Sequence, residues 1–168
     1  MTKLQILALL LASIALIFFT SCDGEDFQEP DVYKVTPDLR ARINMGMKLP
    51  SKSEKKQFNE KFDLFLIKCE EMAYVSNPHV YMETPEYQEF KDFVLSASPN
   101  IYYLVMDKFL KGNPGFFSYI IYDLLIDSKP AIADQISERM QAVGTLEESF
   151  YLYPQLCLDI WVDALENQ

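Results

Sequence analysis

The sequence has few of the residues that enzymes use for catalysis. It contains a single histidine, His79, and its five glycines form no glycine-rich loop of the kind that cradles phosphate groups. No serine lies in the Gly-x-Ser-x-Gly pattern of a nucleophile elbow. A cysteine nucleophile needs a base, and His79 is the one imidazole available to Cys69 or Cys157. We therefore expect no catalytic residue, no metal site and no cofactor.

Carboxylates are plentiful, but their pattern does not favour catalysis. Asp159 and Asp163 are one helical turn apart, and they would hold two carboxylates within the about 5–10 Å that glycosidases use. The pairs Glu70-Glu71 and Glu147-Glu148 invite the same interpretation. On an acidic helical protein such pairs more commonly form a solvated surface. We expect that surface here, and we expect His79 to be an exposed loop residue.

Acidic residues outnumber basic ones in the chain as a whole. The sequence has 15 Lys and Arg against 25 Asp and Glu, which gives a net charge of −10. Such a surface repels the phosphates of DNA and RNA, so nucleic-acid binding is not expected. The apolar fraction of 49% is also too high for a disordered acidic tail.

Cysteine is scarce, since the chain has three, and two of them could form a disulfide. Cys69 and Cys157 both fall on the apolar face of a predicted helix. A disulfide between them would join the first long helix to the last one, and an oxidising compartment would permit it. The alternative is two buried free thiols that behave as small apolar side chains.

The N-terminus has the features of a secretory leader. Lys3 precedes an apolar run from Leu4 to Phe19, which at 16 residues is shorter than the about 20 that span a bilayer. Thr20 and Ser21 are small, and Cys22 follows them directly. A plain leader or an uncleaved membrane anchor is the alternative interpretation of this segment.

Small residues before a cysteine at the expected cut resemble the lipobox of bacterial lipoproteins. Phe19 stands where an aliphatic residue is usual, and in this the segment is similar to the relaxed lipoboxes of the Bacteroidota. The resemblance implies cleavage before Cys22, thioether lipidation of its sulfur and three acyl chains on the mature protein. Several acyl chains anchor strongly, because each buried CH₂ contributes about 0.8 kcal/mol.

The residues after Cys22 bear on which membrane holds the anchor. Three acids occur in the four residues Asp23-Gly24-Glu25-Asp26. An Asp directly after the lipidated cysteine resembles an inner-membrane retention signal of enterobacteria. A short acidic run there resembles the surface-export signal of Bacteroidota lipoproteins. We expect the outer membrane, with the protein exposed on the cell surface.

Turn-forming dipeptides divide the chain into three parts. Residues 1–21 are the predicted leader, residues 22–50 a mostly irregular tether, and residues 51–168 a helical domain. The tether contains Asp23-Gly24, Glu29-Pro30, Thr36-Pro37 and Leu49-Pro50. A short helix from Asp38 to Met45 is consistent with its sequence. The removal of Lys3 with the leader would leave a net charge of −11.

Capping residues and prolines predict an all-α domain of five or six helices, either a bundle or a short helical array. Ser51 and Glu54 have the spacing of a capping box. Four more helix starts have a Ser, Thr or Asn residue as the expected cap and a proline after it, and apolar residues follow at helical spacing. These starts are Thr84-Pro85, Ser98-Pro99, Asn113-Pro114 and, with one residue between, Ser128-Lys129-Pro130. No convincing strand pattern appears, although Val32–Val35 and Val80–Met82 could pair locally.

The segment from Ser98-Pro99 to Pro130 predicts a helical hairpin, with Gly112-Asn113-Pro114 as its joint and Phe116-Phe117 after it. This hairpin resembles the HEAT-like helical pairs of many small bacterial proteins, and the tail with Trp161 is similar to endings beside such pairs. The resemblance covers about a third of the mature chain. It implies a helical fold and an interaction role.

We expect a lipid-anchored, non-catalytic protein of the cell envelope that binds another envelope protein as an accessory or adaptor. The alternative is a surface lipoprotein that binds glycans or accompanies a glycan hydrolase. Tyrosines suit both cores and binding surfaces. The relevant ones are Tyr102, Tyr103, Tyr119, Tyr122, Tyr151 and Tyr153.

The anchor yields a direct test. We predict that Cys22→Ala blocks processing, because the lipidated sulfur is lost, and that the protein then leaves the detergent phase or is mislocalised. Detergent partitioning of whole cells that express either form measures the effect. Unchanged partitioning of the variant would contradict the predicted anchor.

Overall fold

A computed structural model of the protein describes residues 35–73, 75–112, 114–140 and 146–167. Cys22, the predicted leader and the first part of the predicted tether lie outside these ranges. So does Val32, the start of one segment considered for local strand pairing. In the described part, every regular element is helical and no strand occurs.

Nine α-helices and one short 3₁₀ turn make up the described part. In chain order they are α1 Pro37–Gly46, α2 Lys52–Glu71, α3 Pro78–Met82, α4 Pro85–Ser96, the 3₁₀ turn Pro99–Ile101, α5 Tyr102–Lys111, α6 Pro114–Ser128, α7 Pro130–Arg139, α8 Leu146–Leu152 and α9 Pro154–Glu166.

The predicted all-α class is confirmed. Five of these helices, α2, α4, α5, α6 and α7, lie at or directly after the five starts that the caps and prolines predict. The four others are α1, α3, α8 and α9, and α1 lies where the sequence is consistent with a short helix from Asp38 to Met45. The segment Val80–Met82, considered for local strand pairing, is helical, because α3 occupies it after an Asn77 cap whose side chain accepts a hydrogen bond from the His79 amide at 3.1 Å.

Buried aromatic rings join α2 to α4 and α6. Phe58, Phe62 and Phe65 lie on one face of α2, and each contacts Phe90 of α4 with ring centroids 5.3–6.3 Å apart. Phe117 of α6 adds a further ring 5.9 Å from Phe62. Edge-to-face and offset pairs of this kind stabilise a core beyond the area that they bury. A second cluster surrounds Trp161 and contains Tyr102, Phe109 and Phe150.

The predicted tether boundary at residue 50 is corrected by α1. Leu39 and Ile43 of this helix are 1% exposed and belong to the core. Gly46 ends α1 against the ring of Tyr103, where a Cβ atom would collide with that ring. The folded domain therefore includes residues 35–50.

Ion pairs between Arg42 of α1 and three carboxylates of α9 join the two helices, and we call this arrangement the Arg42 fork. The Arg42 guanidinium donates to Asp159 Oδ1 at 2.9 Å, Asp163 Oδ1 at 2.5 Å and Glu166 Oε2 at 2.7 Å. Glu166 and Asp163 raise the pKa of Arg42 above its already high ordinary value. The Thr36 amide also donates to Gln155 Oε1 at 2.7 Å. These bonds, together with the buried Leu39 and Ile43, hold α1 on the domain.

Helix α6 is the most apolar helix and lies in the middle of the core. Ile120, Ile121, Leu124 and Leu125 are all almost fully buried.

We predict that Ile120→Asp destabilises the fold by about 4 kcal/mol or more, because it buries a carboxylate without a partner. Ile126→Asp on the same helix is the control, since Ile126 is 41% exposed. Urea unfolding of both variants measures the difference, and equal losses would contradict the central position of Ile120.

Glu54 couples the start of α2 to the 3₁₀ turn. Its carboxylate accepts hydrogen bonds from the Ser98 amide at 3.3 Å and from the Ser51 amide at 2.7 Å. Donors on Ser98 and Ser51 lower the pKa of Glu54 to about 2. Because the folded pKa lies below the ordinary value of 4.5, the carboxylate stabilises the fold above pH 4.5. That contribution is lost as the pH falls toward 2.

We predict that Glu54→Gln lowers the free energy of unfolding at pH 7 by about 0.5–1 kcal/mol, a small value because nearby solvent screens the charge. The difference from wild type should shrink between pH 4.5 and pH 2, where wild-type Glu54 takes up its proton. Urea unfolding at a series of pH values checks this. Glu60→Gln, on the exposed side of α2, serves as control, and a Glu54→Gln deficit that persists at pH 2 would contradict the mechanism.

Candidate functional site

A surface groove of about 720 Å³ lies between the end of α2, α3 and the start of α6. We call it the α2–α6 groove. It is open to solvent along one side, and its lining is mainly apolar. The lining residues are Leu66, Cys69, Glu70, Ala73, Val75, Ser76, Pro78, Tyr81, Gly115, Phe116, Phe117 and Tyr119. A volume of this size lies in the range of ligand-binding pockets, about 300–1,000 Å³.

The Tyr81 hydroxyl fixes the loop that forms one side of the groove. Its O–H group donates a shared hydrogen bond to the Met72 carbonyl oxygen at 2.8 Å and to the Val75 carbonyl oxygen at 2.6 Å. The loop that follows α2 is thereby held against α3. The hydroxyl is already bonded, so Tyr81 offers its ring to the groove and no free donor.

Aromatic rings form the wall on the α6 side. The Phe116 ring packs edge-on against Tyr81 at 5.6 Å and against Phe117 at 5.6 Å, and it stacks on Phe65 at 6.1 Å. Tyr119 meets the edge of His79 at 5.2 Å. Because Phe65 and Phe117 also belong to the buried cluster, the wall is rigidly backed by the core.

The last turn of α2 gives its end of the groove a negative character. Glu70 lines the groove, and the carbonyl end of the 20-residue helix lies beside it. Lys68 in the same turn is bonded to Glu71 at 3.0 Å. Within the described residues, Glu70 itself takes no ion pair. A cationic group is therefore the charge that this end of the groove favours.

Cys69 is a neutral thiol at the wall of the groove. Burial raises its pKa to about 11, and the Glu70 carboxylate acts in the same direction. A thiol with so high a pKa is a poor nucleophile at neutral pH. No imidazole lines the groove beside it, since the described lining residues include no histidine.

The cysteines considered for a disulfide are both free. Cys69 is partly buried in α2, and Cys157 is fully buried in α9. Burial raises the pKa of Cys157 to about 12. The disulfide alternative is corrected accordingly: each thiol packs as an apolar side chain on its own helix. Cys22 lies outside the described residues, so its lipidation stays a prediction.

His79 is exposed on α3. It lies in a helix rather than in the loop that the sequence predicts, and its ring packs on Tyr119. Across the described ranges, no group of three or more His, Cys, Asp or Glu side chains is placed to hold a metal ion.

The acidic pair on α9 has a structural role that the sequence did not reveal. Asp159 and Asp163 do face solvent in part, but they bind Arg42 together with Glu166. Arg42 is 117 residues away from Asp159 in the chain, so helical spacing gives no sign of the contact. The side chains of Glu147 and Glu148 lie outside the described part.

A second ionic cluster was also missed. Lys91 of α4 binds Asp123 at 2.8 Å and Asp127 at 2.6 Å, both on α6. The Tyr87 hydroxyl donates to Asp123 at 2.7 Å, and burial together with Asp123 raises the pKa of Tyr87 far above 10. The signal in the sequence was the spacing of Asp123 and Asp127, four residues apart on an otherwise apolar helix. The cluster locks α4 to α6.

The tyrosines divide between core and surface. Tyr102 and Tyr103 are buried, and Tyr119 and Tyr122 are partly buried. Tyr151 and Tyr153 are 39% and 46% exposed, and Leu152 between them is 38% exposed. This short stretch joins α8 to α9 and presents two aromatic rings outside the α2–α6 groove.

None of the helices in the described ranges is both long enough and apolar enough to cross a membrane. Comparison of the chain with protein-family models, with curated proteins and with solved structures finds no match in any of the three.

Proposed function

We propose that the chain is a lipid-anchored, non-catalytic accessory protein of the cell envelope, exposed at the outer membrane, whose helical domain docks another envelope protein. The observation that carries the proposal is the α2–α6 groove. It is an open, aromatic surface on a domain whose other large aromatic clusters are buried.

The shape and lining of the groove favour a protein partner. Binding energy at protein interfaces is concentrated where aromatic and other large side chains fill apolar pockets. Phe116, Tyr81 and Tyr119 provide such a surface, and the buried rings behind it keep it in place. A preorganised surface loses little conformational entropy when it binds.

The charge of the chain supports a partner of opposite sign. A mature protein of net charge −11 attracts basic surfaces and accelerates their encounter. At the groove itself, Glu70 adds a local negative charge. The expected partner therefore presents basic residues around an apolar contact.

The chemistry of the groove favours binding over catalysis. Its polar side chains among the described residues are the Glu70 carboxylate, the neutral Cys69 thiol and the hydroxyls of Ser76, Tyr81 and Tyr119. General acid–base catalysis calls for a paired acid and base, and nucleophilic catalysis calls for an activated nucleophile. Glu70 and Cys69 form neither arrangement, since Glu70 raises the pKa of the thiol.

A glycan-binding surface lipoprotein is the second candidate. The exposed rings of Tyr151 and Tyr153 favour it, because aromatic faces stack on the apolar faces of sugars. This site would be independent of the α2–α6 groove.

The test is crosslinking in intact cells followed by purification of the full chain. Ala73 is exposed, lines the groove and contributes little to the core, so Ala73→Trp fills the groove without removing core atoms. Ala131→Trp is the matched control at an exposed position of α7 outside the groove. We predict one stoichiometric envelope partner with wild type and with Ala131→Trp, and at least about a tenfold loss with Ala73→Trp.

Two results would overturn the proposal. Retention of the same partner by Ala73→Trp would exclude the groove as the docking site. Failure to capture any partner, together with glycan-array binding that Tyr151→Ala or Tyr153→Ala abolishes, would support the glycan-binding alternative instead.

A further inference from the structure

We propose that the α2–α6 groove binds a basic peptide segment of its partner, with an apolar side chain against the aromatic wall and a Lys or Arg over the end of α2 at Glu70. This inference rests on the proposed docking function and names the chemistry of the docked segment. Three features of the groove lead to it: its openness, its charge and the absence of free hydrogen-bonding groups on Tyr81.

The openness of the groove favours a peptide over a small molecule. Small-molecule sites enclose most of the ligand surface. The α2–α6 groove is open along one side although its volume is about 720 Å³. A segment of a larger protein fills such a groove with a few side chains while its backbone stays at the surface.

The two ends of the groove differ in chemistry. At the α6 end, Phe116, Phe117 and Gly115 form an apolar surface. At the α2 end, Glu70 and the helix C-terminus provide negative charge. A peptide with an apolar residue next to a basic one matches both ends at once. An acidic peptide would place its charge against Glu70.

The aromatic faces suit the stem of a basic side chain. Lys and Arg bury their methylene groups on apolar surfaces while their charged heads remain in water. Tyr119 lines the groove and is partly buried, and its aromatic ring is a group to which a cation is attracted. Lys68 in the last turn of α2 is bonded to Glu71, and Glu70 takes no ion pair within the described residues.

The hydroxyl of Tyr81 does not select among the polar side chains of a bound peptide. It is bonded to the Met72 and Val75 carbonyl oxygens, so it does not read out polar groups on a ligand. At Tyr81 recognition then depends on apolar contact, while the hydroxyls of Ser76 and Tyr119 line other parts of the groove. We expect the groove to accept different peptide sequences provided that a basic residue neighbours a large apolar one.

The experiment uses the full chain in nanodiscs of neutral phosphatidylcholine, with empty nanodiscs as the blank. The probes are two fluorescein-labelled peptides of equal length: one of Lys, Leu and Phe, and a counterpart with Glu in place of each Lys. Fluorescence anisotropy gives both dissociation constants. We expect the basic peptide to bind at least about tenfold more tightly than the acidic one.

Three variants locate the binding. We expect Ala73→Trp to weaken the basic peptide by at least about tenfold and Glu70→Gln to weaken it about two- to fivefold. Glu138→Gln, an exposed position on α7 with the same change in net charge, should leave affinity within about twofold of wild type.

The outcomes separate this inference from the proposed function. Equal binding of the acidic and basic peptides, or equal losses in Glu70→Gln and Glu138→Gln, would overturn the basic-segment inference. If the cellular partner is nevertheless lost in Ala73→Trp, docking in the groove stands and only its charge preference is wrong. Tight binding of the basic peptide that Ala73→Trp does not affect would overturn the groove as its site.

Discussion

The row of Phe58, Phe62 and Phe65 along α2 is the interaction on which the rest of the structure depends. On one side these rings contact Phe90 and bring α4 against α2. On the other, they back the first turns of α6, where Phe116 and Phe117 begin the groove. One apolar face therefore organises the core and also supports the surface that we propose binds the partner. A change in this row would reach the groove through packing, since close-packed interiors transmit strain.

Most helix starts could be predicted because proline fixes them locally. Seven of the nine prolines occupy the first position of a helical segment in the described part. Proline suits this position, because its missing N–H has no intrahelical partner there and its φ angle is already helical. The Thr84 hydroxyl accepts from the Tyr87 amide at 3.3 Å, and the capping box at Ser51 forms as its spacing predicts. These signals involve neighbours in sequence, so the sequence alone reveals them.

The features that could not be predicted depend on contacts between distant residues. Helix α1 has a weak apolar pattern, and its place in the fold rests on Leu39, Ile43 and the bonds of Arg42 to α9. The groove exists because the end of α2, the Tyr81 loop and the start of α6 meet in space. Residue types on each segment looked like ordinary core residues, so nothing in their spacing marked a site. Cys69 and Glu70 showed only helical periodicity and charge.

The Arg42 fork also has a mechanical consequence. Any force that reaches the domain through the chain before residue 35 first meets α1, and α1 is bonded to three carboxylates of α9. Part of the force is then transmitted to α9, so that α1 does not detach from the domain by itself. The carboxylates are partly exposed to solvent, so dissolved salt screens their attraction to Arg42. The resistance of this attachment to pulling should therefore vary with the ionic strength of the solution.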